Sequence, residues 1–97
     1  MAFDRSGLHC ANPVAPPGSR IWTYQSLDSG ATMDTAGYFN AAARELGLGD
    51  IIFYSTVTGA IKTPTGITAR GTFYVNANAA GVVDVVDAVA HATTDTD

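Results

Sequence analysis

The chain has 97 residues, of which 46% are hydrophobic and only 14% are charged, and its formal net charge is −4. This length suits one domain with its own core, while the low charged fraction leaves surface that partner chains could cover. The five basic residues are scattered along the sequence, so we expect neither nucleic acid nor an anionic membrane surface as a partner.

Residues 1–19 are predicted to form an extended N-terminal arm. Three prolines fix φ and restrain the residues before them, which favours an extended chain over a helix. We expect the arm to add little to the core and to lie across a partner. Its candidate contact residues are Phe3, Leu8, Pro13, Val14, Pro16 and Pro17. The first ten residues lack the apolar stretch of a signal peptide, so we expect synthesis in the cytoplasm.

Residues 20–90 are predicted to form a β-rich domain. Residues 21–27 alternate β-branched and aromatic side chains with polar ones, as a strand does. Residues 51–57 are the most apolar segment, which predicts a central strand with Phe53 in the core. A short edge strand is expected at 60–63, a loop at Pro64–Gly66, and a further strand over 67–75.

One helix is predicted near residues 32–46. Thr32 or Asp34 is a candidate N-cap, and Phe39 belongs to an apolar series at helical spacing. Gly37 is expected to break or bend this helix. Gly49 and Asp50 then form a tight turn into the next strand.

Residues 82–89 fit two interpretations. Their valines lie at helical spacing, but five valines in eight residues favour a strand, which we expect to pair with the strand over 67–75. Residues 91–97 are predicted to be a polar, frayed tail. The fold class is therefore β-rich α+β, a small antiparallel β-sandwich or barrel with one short helix.

The residues that could carry chemistry form no convincing site. His9 and Cys10 are adjacent, so on an extended chain their side chains point to opposite sides. Asp84 and Asp87 share a side only if their segment is helical. We therefore expect no enzyme activity, no cofactor and no metal site. Adjacent aromatic pairs should place one ring in the core and one outside, where tyrosine suits a subunit contact.

The middle of the chain nevertheless resembles a recurrent pattern in small structural proteins of tailed bacteriophages. The matching motifs are W-x-Y-x-S-x-D at 22–28, T-A-G-Y-F-N at 35–40, L-x-x-G-D-x-I at 46–52 and N-x-x-G-V-V-D-V at 78–85. They include the residues that we expect to shape the fold, namely Trp22, Tyr24, Gly37, Tyr38, Phe39, Gly49 and Asp50.

The resemblance implies a virion protein that decorates and cements the outside of a phage head. Its partner would be the major capsid protein, it would self-associate, as a trimer, and it would be located on the capsid surface. A head-fibre, spike or tail-fibre base protein is the alternative within the same group. A small enzyme has little support in the sequence. A carbohydrate-binding β module would need Trp22 or Tyr24 exposed on an open face.

Overall fold

The computed structural model describes residues 3–16 and 18–92, and within them the chain forms one six-stranded sheet. The strand order is β1-β2-β3-β4-β5, and β6 pairs with β4 as well. The strands are β1 Leu8–Cys10, β2 Ile21–Ser26, β3 Ile51–Ala60, β4 Thr63–Ala79, β5 Val82–Val85 and β6 Val89–Ala90. One short α-helix, α1 (Gly30–Met33), lies in the described part, with 3₁₀ turns at Arg5–Gly7 and Asn40–Ala42. The predicted β-rich class with one short helix is confirmed.

Strands β2 and β3 run parallel, with Ile21 opposite Ile51 and Tyr24 opposite Tyr54. The other pairings are antiparallel, as predicted. A parallel pair requires a crossover, because the chain must return to the same end of the sheet. Residues 27–50 make that crossover and lie over one face, which we call the inner face.

The core lies between the inner face and the crossover. Trp22, Ile52 and Phe73 are cross-strand neighbours on this face and are all buried. The crossover supplies Phe39, whose ring centroid is 5.3 Å from that of Tyr24. Its other buried apolar residues are Met33, Ala42 and Leu46, while β5 adds Val83 and Val85.

The predicted helix over 32–46 is wrong in length and position. Helix α1 ends at Met33, and its N-cap is Ser29, whose Oγ accepts a hydrogen bond from the Thr32 N–H at 3.2 Å. Gly37 does not break or bend the helix, which already ends at Met33; it lies in the following turns with φ +86° and donates its N–H to the Val83 carbonyl at 2.9 Å. This tertiary hydrogen bond replaces one that a continuous helix would have made.

The N-terminal residues are not a separate arm. Leu8 is only 8% exposed, and β1 pairs antiparallel with β2, with Leu8 opposite Tyr24. Phe3 stacks on Tyr24 with ring centroids 5.5 Å apart and also packs edge-on against Phe39. The expectation that this segment adds little to the core is therefore wrong, because two large apolar side chains outweigh its proline-rich composition.

The proline-rich residues instead form the loop between β1 and β2. Asn12 closes this loop, because its Oδ1 accepts from the Ile21 N–H at 2.7 Å and its Nδ2 donates to the Ser19 carbonyl. Pro13 and Pro16 are exposed, and Val14 at the tip is 98% exposed. Pro17 and residues 93–97 lie outside the described residues, so the predicted frayed tail is described only at 91–92.

Strand β3 presents the opposite face from the one predicted. Ile52 and Tyr54 point into the core, and Phe53 points away from it and is 36% exposed. The alternation of a strand allows only one of two adjacent aromatic residues to be buried, and the parallel register selects Tyr54.

The β3–β4 hairpin turns at Ile61–Lys62, where Lys62 has φ +72°, so Pro64 lies in β4 opposite Gly59 and not in a loop. Residues 82–85 form a strand, which resolves the ambiguity there, and this strand pairs with residues 75–79 of β4.

Candidate functional site

The face of the sheet opposite the crossover carries a row of exposed large apolar side chains. We call it the outer patch, and its members are Ile21, Ile51, Phe53, Tyr74 and Val89. Their exposed fractions range from 36% to 63%. Ile51 is the cross-strand neighbour of both Ile21 and Tyr74, so the patch is continuous across β2, β3 and β4.

One end of the outer patch opens into a hollow of about 200 Å³, lined by Ile51, Tyr74, Val86 and Val89 among others. Contiguous exposed apolar surface of this kind marks interaction sites on soluble proteins. The arrangement suits a protein or other apolar surface that lies flat against the sheet.

A polar groove of about 380 Å³ adjoins the other end of the outer patch, and we call it the basic groove. Two irregularities in the β3–β4 pairing, at Thr56/Val57 and Thr58/Gly59, accompany a curl of the hairpin toward β2. Its tip is held there because the Lys62 N–H donates to Gln25 Oε1 at 2.9 Å. The groove is lined by His9, Thr23, Phe53, Ser55, Lys62 and Arg70 in addition to Gln25.

The charged groups lining the basic groove are both cationic. Lys62 and Arg70 make no ion pair within residues 3–16 and 18–92, where Arg5 and Glu45 form the one salt bridge. Asp4 is the nearby acid, but its carboxylate accepts hydrogen bonds from the Ser6 side chain and N–H. Those bonds, with a smaller contribution from Lys62, lower the pKa of Asp4 below its ordinary value. The groove therefore has a positive lining on a chain whose net charge is negative.

Tyr38 joins the crossover to β2 through hydrogen bonds beneath the sheet. Its hydroxyl donates to Asp28 Oδ2 at 2.6 Å and lies 2.9 Å from the Tyr24 hydroxyl. Burial, and then the hydrogen bond to Asp28, raise the pKa of the Tyr38 hydroxyl above its ordinary value. A phenol that keeps its proton serves as a structural donor, and this network fixes the crossover in place.

Asp50 has the same structural role at the other end of β2. It is fully buried and accepts four hydrogen bonds, from the N–H groups of Gly18, Arg20 and Gly47 and from the Trp22 indole. The turn before it requires the left-handed conformation of Gly49, with φ +95°. One carboxylate thus joins the β1–β2 loop, the start of β2 and the end of the crossover.

The structure separates the sequence-predicted residues into two groups. Trp22, Tyr24, Tyr38, Phe39 and Asp50 come together inside the fold with Phe3 and Leu8. Phe53, Pro13, Val14 and Pro16 lie at the surface, the first on the sheet and the others on the β1–β2 loop.

The face that each predicted residue occupies decides what it can do. Cys10 packs toward the core, whereas His9 faces the basic groove, so the two do not form a thiol–imidazole pair. Trp22 and Tyr24 are 8% and 1% exposed and offer no sugar-stacking platform.

Sequence reasoning did not find the basic groove. Lys62 and Arg70 are eight positions apart in the chain, and both line the groove because the hairpin tip is held against β2 by the bond from the Lys62 N–H to Gln25. Side chains of a strand alternate in direction, so Ile51 and Phe53 could have been assigned to the outer patch once Ile52 was known to point inward.

No protein-family model, curated protein or solved structure matches the chain. Across the described residues, no group of three or more histidine, cysteine, aspartate or glutamate side chains is placed to hold a metal ion. The helices of that same part are too short to cross a bilayer.

Proposed function

We propose that the chain is a structural protein of a tailed-phage virion, a decoration protein that binds the outside of the head and cements the shell. The observation that carries the proposal is the outer patch, a continuous apolar strip on a sheet face that the described residues leave open. The resemblance of residues 20–87 to small phage structural proteins supplies the kind of partner. The capsid surface, formed by the major capsid protein, would cover the patch.

Such a protein would act by mass action. A partner that binds the assembled shell more tightly than the loosened shell stabilises the assembled form. Burial of the outer patch would supply most of the binding free energy, because apolar surface removed from water is the dominant favourable term in protein association. No reacting group is required, and the buried polar groups of Tyr38 and Asp50 are already occupied by hydrogen bonds within the fold.

Self-association as a trimer is part of the proposal. The two ends of the sheet are the unlike strands β1 and β5. A contact between β1 of one copy and β5 of the next would be heterologous, and heterologous contacts close into rings when the rotation permits. Strand β1 offers edge backbone groups to such a contact, whereas Val83 in β5 already bonds Asn40 and Gly37 of the crossover.

The test is the number of copies of this chain in purified particles of the phage that encodes it, measured by quantitative mass spectrometry. Hundreds of copies per particle would support the decoration role, and tens or fewer would indicate a head-fibre, spike or tail-fibre base. Absence from the particle would refute both roles.

A binding assay with particles that lack the protein tests the outer patch itself. The double variant Tyr74→Thr, Val89→Thr has a strand-favouring residue at both positions but removes apolar surface from the patch. Leu48→Thr is the matched control, since Leu48 is 63% exposed and lies in the turn before β3. We expect the double variant to bind weakly and the control to bind like the unaltered protein. If the unaltered protein, the double variant and the control bound equally well, the outer patch would not be part of the interface.

A further inference from the structure

We propose that the basic groove binds an acidic peptide segment, with a carboxylate of that segment between Lys62 and Arg70 and an adjoining apolar side chain against Phe53. That the segment belongs to the capsid surface rests on the proposed function. The chemistry of the ligand rests on the groove alone.

The charge of the groove favours an acidic ligand. The chain carries nine acidic and five basic residues, yet the groove gathers two of those five and no carboxylate lines it. Both side chains are exposed, and neither is in a salt bridge with the described residues. Arginine presents a planar fork that suits a carboxylate, and lysine adds a second donor whose position is adjustable.

Both cations lie at the outer face of the sheet. Arg70 lies opposite Ser55 in the β3–β4 ladder, which puts its side chain on the outer face. Lys62 is held above the same face because its backbone N–H donates to Gln25 Oε1. This bond does not use the side-chain ammonium group. Thr23 and Ser55 line the same groove, and their hydroxyls are further hydrogen-bond donors of the kind that a carboxylate accepts.

The surface next to the groove favours a peptide over an acidic sugar. The groove shares Phe53 with the outer patch, so a ligand that enters the groove continues onto an apolar strip. A peptide can carry acidic and apolar side chains close together and would fill both, whereas a sugar is polar along its whole length. Two aromatic residues line the groove, Tyr24 at 1% and Phe53 at 36% exposure, and rings so covered are poor platforms for stacking a sugar.

The experiment titrates the isotope-labelled full chain by NMR with a short capped peptide of the repeat Glu-Glu-Val-Val, which puts a valine two positions from a glutamate, on the same side of an extended chain. The parallel probes are the same peptide with glutamine in place of glutamate, and an oligogalacturonate. Lys62→Gln and Arg70→Gln each remove one charge at an exposed site, and Arg44→Gln is the matched control, because Arg44 is exposed and does not line the groove. Melting curves of the three variants confirm that each one folds.

We expect the glutamate peptide to shift the amide signals of Thr23, Phe53 and Ser55. Each groove variant should weaken binding about three- to fivefold, which is the size expected for an exposed ion pair, and Arg44→Gln should not change it. Equal binding of the glutamine peptide, or no shift with either peptide, would overturn the proposal. Shifts with oligogalacturonate alone would overturn it in favour of an acidic sugar ligand.

The outcome is independent of the particle measurement. If the chain is absent from virions but the glutamate peptide binds as expected, the groove proposal stands and the proposed function fails. If the chain is abundant in virions but the peptide does not bind, the reverse holds.

Discussion

Replacing Asp50 by asparagine tests whether one buried carboxylate holds the β1–β2 loop and the crossover to the sheet. Its Oδ1 accepts from the N–H groups of Gly18 and Arg20 at 2.6 and 3.3 Å. Its Oδ2 accepts from the Trp22 indole and the Gly47 N–H at 2.9 and 2.8 Å. Asparagine has the same shape but carries an NH₂ group in place of one oxygen. Each carboxylate oxygen accepts from two N–H groups. Whichever way the amide is turned, its NH₂ group therefore faces two N–H donors that have lost their acceptor.

The expected loss follows from those two donors. A buried donor left without an acceptor costs about 1–3 kcal/mol, so with two such donors Asp50→Asn should lower the free energy of unfolding by roughly 2–6 kcal/mol. A domain of this size is stable by about 5–15 kcal/mol, and 1 kcal/mol corresponds to about 4–8 °C in melting temperature. We therefore expect the melting temperature to fall by at least about 8 °C.

Thermal and urea unfolding measure this loss, and the fluorescence of Trp22 reports on the same site because the chain has one tryptophan. Asp87→Asn is the matched control, since Asp87 is exposed and the same charge is removed. The reasoning would be refuted if Asp50→Asn melted within about 2 °C of the control, for that is far below the loss expected from two unsatisfied donors.

Four further predictions follow from burial and charge. Phe73→Ala should cost about 3–5 kcal/mol in urea unfolding, and Phe53→Ala about 1 kcal/mol or less, because only the Phe73 ring is enclosed; equal losses would contradict the assigned faces of the sheet. Near neutral pH, the Tyr38→Phe variant should be less stable than the unaltered protein. Above about pH 10 the unaltered protein should lose more stability than the variant, because its unfolded chain ionises Tyr38 while the fold keeps that tyrosine protonated. Parallel pH profiles would contradict this. Deleting residues 2–10 removes Phe3 and Leu8 and should abolish a cooperative melt, whereas a retained melt would show that these residues are dispensable. Attachment to particles should survive about 1 M salt and be lost in urea, and release by salt alone would show that ion pairs dominate.

The strands could be predicted from the sequence because their signals are local. Ile21–Ser26 and Ile51–Ala60 combine β-branched and aromatic residues and end at turn residues, and both are found close to the predicted positions. The face of β3 could not be predicted, since Ile52 and Phe53 are both large and apolar. The parallel pairing with β2 decides between them, and that pairing is a long-range property of the crossover.

The N-terminal segment failed prediction for a related reason. Composition averages over residues, and three prolines masked the fact that Phe3 and Leu8 lie near the start of the chain. The prolines belong to the loop that follows, where Asn12 closes the chain back onto β2. Proline content correctly indicated the absence of a helix there, but it did not indicate whether the neighbouring strand joins the sheet.

The two faces of the sheet differ in role: the inner face holds the fold together, and the outer face is the proposed binding surface. On the inner face, Asp50 and Tyr38 make hydrogen bonds within the fold, and among the described residues every buried side-chain nitrogen and oxygen has a partner. On the outer face, apolar side chains stay exposed, at a cost in solubility that selection tolerates when a partner covers them. The cations of the basic groove lie at the end of that strip, where they would fix the register of a partner while apolar burial supplies the affinity. A purely apolar strip would bind many surfaces, and a charged end restricts it to partners with a carboxylate at the matching distance.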